Sequence, residues 1–213
     1  MDNKIIVALS GSGRSLRNLL EHQRIHKSFE ICGIISSNPT ALGVSIAREH
    51  EIDVYCEKFK GSSEASIDLC HWLEEKKPNL IALAGFLKRF PTKFKSPELN
   101  QIKIINIHPS LLPKFSGKGM YGSKVHRAVL AEGEKETGAS IHFVNHIYDD
   151  GPLISQRKVP VLINDTEEIL AARVFEAECF LYPQTIEKIL TKNSSHKKIR
   201  YQQEKSLENY DNR

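Results

Sequence analysis

Asn106 and His108 stand two residues apart at the end of the apolar run QIKIINIH (101–108), and a proline follows at once. In an extended strand, residues i and i+2 share a face. A neutral amide donor and a titratable imidazole would therefore project together, with Ile105 and Ile107 turned to the core. Pro109 biases His108 toward extended geometry, and Ser110 to Pro113 turn the chain away. An amide N–H can stabilise an oxyanion, and an imidazolium can give up a proton. A carboxylate beside the ring would orient it and raise its pKa. The turn YDDGP (148–152) supplies two, Asp149 and Asp150. Both readings have a plain structural rival. A strand-end imidazole is often only hydrogen-bonded, and aspartates in a glycine turn serve the turn itself.

A second constellation lies near the start of the chain. KIIVALS (4–10) runs into GSGRSL (11–16). Gly11 and Gly13 permit a tight turn and a close approach of ligand to backbone. A helix beginning there points unsatisfied N–H groups at the same spot. Leu16 occupies the place of the third glycine of a dinucleotide fingerprint. Ser36, Ser37 and Asn38 stand where a ribose-binding acid would be expected. The pattern favours a phosphate monoester over NAD, against the simpler reading of an ordinary strand-to-helix turn.

The elements that must hold these groups alternate. Strands are expected at 4–10, 29–37, 53–56, 79–85 and 101–108, and helices at 15–25, 41–50 and 65–76. Near-continuous apolar strands in a βαβα rhythm predict an α/β fold with a mostly parallel, doubly wound, Rossmann-like sheet covered on both faces. The ends of its strands are where such folds bind ligands. ASIHFVN (139–145) alternates, placing His142 on the face of Ser140 and Val144, and PLISQRKVPV (152–161) pairs with it as an antiparallel extension. A long C-terminal helix is expected over 164–190, with Asp165 as N-cap and Glu168 at its third position. Residues 1–190 read as a single domain. Residues 191–213 read as a polar tail, a frayed helix or partly disordered.

Composition narrows the class. The 213 residues are 40% hydrophobic and 26% charged, which suits a globular chain with a real core. The net charge of +4 collects around KKIR (197–200), a poor footprint for nucleic acid. Cys32, Cys56, Cys70 and Cys179 are widely spaced, without metal-ligand pairing, and read as reduced thiols. No metal is expected. Without a secretory segment or a bilayer-length apolar run, the expected location is cytoplasmic, with no membrane partner.

SGSGRSL, LAGFLKRF (83–90), NIHPSLLPKF (106–115), GMYG with Val125 and His126, ETGASIHFV (136–144) and DDGPLISQRKVPV (149–161) together carry a resemblance. The chain resembles the folate-dependent phosphoribosylglycinamide formyltransferases over nearly its whole length to about residue 190. NIHPSLLP joined to a later D-x-G-P turn is specific to formyltransferases, and GMYG-x-x-VH points to the glycinamide ribonucleotide branch. The resemblance implies transfer of a formyl group from 10-formyltetrahydrofolate to glycinamide ribonucleotide in purine biosynthesis. It implies a catalytic set of Asn106, His108 and Asp149, the aspartate that matches when the glycine-proline pair is aligned. It implies phosphate binding at Gly11, Ser12, Gly13, Arg14 and Ser15, and a glycinamide contact at Glu178. The folate would lie along Leu87, Lys88, Arg89 and Phe90, and against Val144, Asn145, His146, Ile147 and Tyr148. A cis bond between Leu112 and Pro113 is also implied. In two places the chain departs from the family. The usual arginine for the folate tail falls on Ser62, with Lys60 nearby, and Arg14 is an uncommon residue in the phosphate turn.

The expected partners are small-molecule substrates, with the chain working as a monomer or homodimer. A formyltetrahydrofolate hydrolase would be expected to carry a regulatory domain before the glycine turn, and a methionyl-tRNA formyltransferase an RNA-binding domain after residue 190. A sugar-amine formyltransferase shares the Asn–His and distal Asp pattern, but the phosphate turn argues against it. A non-catalytic nucleotide-binding module would keep the turn without needing Asn106, His108 and Asp149 together.

Overall fold

The structure, a computed structural model, describes residues 3–211, with side chains described as far as Thr191. Seven strands form one sheet in the order β3-β2-β1-β4-β5-β6-β7. The first five are β1 (Lys4–Leu9), β2 (Glu30–Ser36), β3 (Val54–Cys56), β4 (Leu80–Leu83) and β5 (Lys103–His108), and they pair in parallel. β6 (Glu136–Phe143) and β7 (Leu153–Pro160) add the antiparallel edge.

The strand order reverses between β1 and β4. At such a switch point the flanking connections leave to opposite sides and open a crevice at the strands' carboxyl ends. Both faces of the sheet are covered, which is why the central strands are continuously apolar. Ile5, Val7 and Leu9 face α1 (Arg14–His26), α2 (Leu42–Glu49) and α5 (Glu167–Asp211). Ile6, Ala8, Ile81 and Leu83 face α3 (Ile67–Lys76) and the segment carrying Phe90, Phe94 and Leu99. A smaller cluster joins Val125 and Val129 of α4 (Ser123–Ala131) to Leu170 and Val174 of α5. The Tyr182 hydroxyl, buried under α5, donates to the Leu83 carbonyl at 2.8 Å and ties that helix to the end of β4.

One local expectation is corrected. The N-cap of α5 is Thr166, whose Oγ1 accepts from the Ile169 N–H at 3.3 Å. Asp165 is drawn elsewhere, accepting from the Leu162 N–H and pairing with Arg173, eight residues on in α5. Helix α4 stands in a stretch for which the sequence pattern predicted no element. It is short, its N-cap Gly122 offers no side chain, and its fully buried apolar residues are Val125 and Val129. The tail expectation for 191–213 concerns side chains that, from Lys192 on, lie outside the described residues. The backbone there continues α5. Among the described residues no helix is long and apolar enough to cross a membrane.

Candidate active site

β5 ends at the carboxyl edge of the sheet and delivers Asn106 and His108 to one face, while Ile105 and Ile107 enter the core. Antiparallel pairing sets Asn106 opposite His142 and His108 opposite Ser140. The turn after β5 includes a cis bond between Leu112 and Pro113, as the resemblance implied. It is pinned from below. Ser140 Oγ donates to the Ser110 carbonyl at 2.6 Å and accepts from the Leu112 N–H at 3.0 Å.

Asp149 closes the group. Its backbone is left-handed, with φ of 55°, which brings the carboxylate back over β5. Oδ1 lies 3.5 Å from His108 Nδ1, 3.7 Å from His142 Nε2 and 3.4 Å from the Asn106 amide nitrogen. Oδ2 accepts from the Gly117 N–H at 3.1 Å. Asp150 points out, accepting from Asn145 at 3.3 Å. Burial opposes ionisation of Asp149, but His142, His108 and the Gly117 N–H together outweigh it and hold the carboxyl below its ordinary value.

The proton on His108 behaves differently from the sequence expectation. The ring is buried, and that desolvation pushes its pKa below the ordinary imidazole value, against the opposing pull of Asp149 and the Phe115 carbonyl. At 3.5 Å the carboxylate does not compensate for lost water. His108 Nε2 donates to the Phe115 carbonyl at 2.8 Å, so a neutral ring carries its hydrogen there and turns the Nδ1 lone pair toward Asp149. Protonation would place both N–H groups on acceptors.

At the other side of the crevice, Gly13 takes a left-handed φ of 72° and opens α1. A Cβ there would stand 2.7 Å from the Gly43 Cα, so only glycine fits without movement. The Gly11 carbonyl accepts from the Gly43 N–H at 3.1 Å, which locks the turn against α2. Ser12, Arg14 and Ser15 follow, with the free N–H groups of the helix start directed outward. Glu178, half-buried on α5, has a carboxyl pushed up to about 7 by burial, with Arg14 opposing the shift.

Between Asn106 and the 84–90 loop lies an open cleft lined by Leu83, Phe86, Lys88, Arg89, Phe90 and Val144, with Asn145, Ile147, Tyr148 and Asp149 on its far wall. Phe86 and Phe90 of this lining pack with Phe59, two pairs edge-to-face and the Phe59–Phe90 pair stacked, with centroids 5.0–6.0 Å apart. Two of the expected lining residues are not there. Leu87 is 47% exposed, and its N–H is held by Ser10 Oγ at 2.9 Å. The His146 side chain is exposed, and its carbonyl accepts from Arg89 Nη2. Phe86 and His142, absent from the expected folate wall, complete it instead. The aromatic spacing of F-x-x-x-F (86–90) and the alternation of β6 were the available signals.

Ser62 accepts from the Glu64 N–H and Lys60 is exposed, on a loop whose Ser63 carbonyl accepts from the Thr92 and Lys93 N–H groups. That loop therefore flanks the cleft's 86–90 wall. Among the described residues no group of three His, Cys, Asp or Glu side chains could hold a metal ion.

Residues 3–186 match the family described as Formyl transferase. A phosphoribosylglycinamide formyltransferase of Escherichia coli is 33% identical over 186 residues, covering 85% of this chain and 84% of its own. The chloroplastic enzyme of that name from Vigna unguiculata is 38% identical over 192 residues, or 86% of this chain. The present chain spans 60% of that relative's length. The crystal structure of phosphoribosylglycinamide formyltransferase from Anaplasma phagocytophilum superposes with a TM-score of 0.77 at 34% identity, covering 90% of this chain and 89% of that one. The matched stretch includes the glycine turn, the end of β5 and the Asp149 loop, and over it the chain belongs to the formyl transferase family.

Proposed function

We propose that the chain transfers a formyl group from 10-formyltetrahydrofolate to the amine of phosphoribosylglycinamide, with residues 1–190 as the working unit. The observation that carries this reading is the meeting of Asn106, His108 and Asp149 at one end of an aromatic-lined cleft, on the same sheet edge as the left-handed glycine turn that opens α1.

The phosphate sits on the backbone N–H groups from Ser12 to Ser15, where the start of α1 supplies partial positive charge. Gly11 and Gly13 let it approach, and Glu178 receives the glycinamide part. The folate ring lies against Phe90, Val144, Ile147 and Tyr148, with Lys88, Arg89 and Asn145 at its polar edge. Direct attack of the amine on the formyl carbon needs no enzyme nucleophile. Asn106 donates to the formyl oxygen as charge develops there, an effect worth roughly 3–4 kcal/mol for a well-placed donor. His108 is neutral at rest. As negative charge grows beside it, the ring takes up a proton on Nδ1, Asp149 accepts that N–H, and the imidazolium stabilises the oxyanion through its charge. The proton lost by the amine and the one gained by the departing folate nitrogen balance, and His108 handles that exchange.

The test is a formyl-transfer assay with a panel of amines that includes phosphoribosylglycinamide, free glycinamide and amino sugars. Transfer confined to the phosphorylated amine supports the reading. Preference for an amino sugar, or nucleotide binding without transfer, would overturn it.

A further inference from the structure

Arg14, the uncommon residue of the phosphate turn, does not aim its side chain as its position suggests. It is exposed, and its guanidinium carbon stands 3.8 Å from the centre of the Phe175 ring. Phe175 belongs to α5 and lies three residues before Glu178, so the two side chains are neighbours on one helical face. A turn further along, Asn18 donates to the Cys179 carbonyl at 2.9 Å and fastens α1 to α5. Below it, Leu19 of α1 and Tyr182 of α5 share the buried core. The guanidinium is therefore carried from the glycine turn onto α5, beside the helical turn that holds Glu178, by a ring that can stack with it, on two helices fixed to each other.

We propose that Arg14 is a positioning residue of the substrate site, whose guanidinium, seated on Phe175, keeps the Glu178 carboxylate charged toward an incoming phosphorylated amine. This rests on the function proposed above and deepens it. Phosphate binding needs only the Arg14 backbone N–H. The side chain solves a different problem, because Glu178 is desolvated and tends to take up a proton. Arg14 is the charged group that opposes this from α1. From α5 the neighbours are the Cys179 thiol and the Tyr182 phenol. Both are pushed up, by burial first and by Glu178 as well, so both are neutral and add no compensating charge. A protonated Glu178 could not accept from the amine or hydroxyl groups of a substrate with the same strength.

The first measurement needs no turnover. Carbon-detected NMR titration of the Glu178 carboxyl in the substrate-free protein should show a higher midpoint in Arg14→Met than in the native chain. Phe175→Leu should move it the same way by less, and Arg14→Lys should restore part of the difference. An unmoved midpoint in Arg14→Met overturns the proposal. The second measurement is KM for phosphoribosylglycinamide against pH. Arg14→Met should raise it about 5-fold near pH 7, with the gap closing toward pH 9 as Glu178 ionises in both forms. A gap that stays constant across pH would mean that the guanidinium serves only the phosphate, and would also overturn the proposal. If the midpoint shifts as expected while the native chain transfers no formyl group to this amine, the proposed function fails and the Arg14–Glu178 relationship stands.

Discussion

His142 Nε2 lies 3.1 Å from the Asn106 amide nitrogen, while its Nδ1 sits 2.9 Å from the Phe143 carbonyl. The carbonyl can only accept, so the hydrogen of a neutral ring is on Nδ1 and Nε2 accepts from Asn106. One amide hydrogen is thereby occupied, and the amide plane is fixed. Asn106→Ala should lower kcat by about 10²–10³-fold if it removes an oxyanion donor. His142→Leu leaves Asn106 in place but unfixed, so its loss should be smaller. Steady-state kinetics of both variants decide this, and a larger effect from His142→Leu would show that the ring itself meets the reacting atoms.

The glycine turn can be tested through stability. Gly13 combines a positive φ with a backbone neighbour where a Cβ would go, whereas a Cβ on Gly11 would meet nothing within 4 Å. Gly13→Ala should cost about 1–3 kcal/mol, because the strained turn and the Gly43 contact must both yield. Gly11→Ala should change stability by well under that. Denaturant unfolding of the two variants gives the comparison, and equal losses would mean that the turn adapts freely.

Much of this architecture was legible in the sequence, for a physical reason. Parallel strands buried on both faces must be continuously apolar, so KIIVALS and NLIALAG announce themselves, and the i, i+2 rule put Asn106 and His108 on one face before any fold was known. What escaped depended on three-dimensional balance. Asp165 and Thr166 are both good caps, and Arg173, eight residues on, decides between them by taking the aspartate. The direction of the His108 shift turns on a 3.5 Å separation inside a buried site, which no spacing encodes. Arg89 reaching the His146 carbonyl was equally invisible, because it joins two irregular loops.

His126, buried on α4 and close enough to His108 for their charges to interact, offers a pH test through stability. Its Nδ1 has no partner among the described residues, and burial pushes its pKa below the ordinary 6.5, with Glu167 opposing. The unfolded chain therefore takes up a proton that the folded chain refuses. Stability from this group is complete above about pH 6.5 and is lost as pH falls toward the folded pKa. His126→Leu removes the group, and its Tm should fall less steeply than the native Tm between about pH 7 and pH 5. Parallel slopes by calorimetry would show that His126 is protonated in the folded chain at no cost.

Asp149 and Asp150 are adjacent, chemically alike and differently placed, which makes them each other's control. Asn tolerates the left-handed backbone that Asp149 adopts, and its side-chain oxygen can still accept from the Gly117 N–H. Asp149→Asn should therefore keep the turn and remove only the charge 3.5 Å from His108. That charge is the main influence holding the imidazole pKa up against burial. Without it the ring protonates less readily, and the new N–H loses its acceptor. A positioned acid or base contributes about 10²–10⁴-fold, so kcat should fall by at least the lower figure. Affinity for the phosphorylated amine should change far less, because the glycine turn is built from a separate part of the chain. Asp150→Asn, whose exposed carboxylate accepts from Asn145, should turn over nearly as the native chain does. Collapse of Asp150→Asn with a healthy Asp149→Asn would reverse the assignment. Near-native turnover in both would remove the carboxylate from the mechanism altogether.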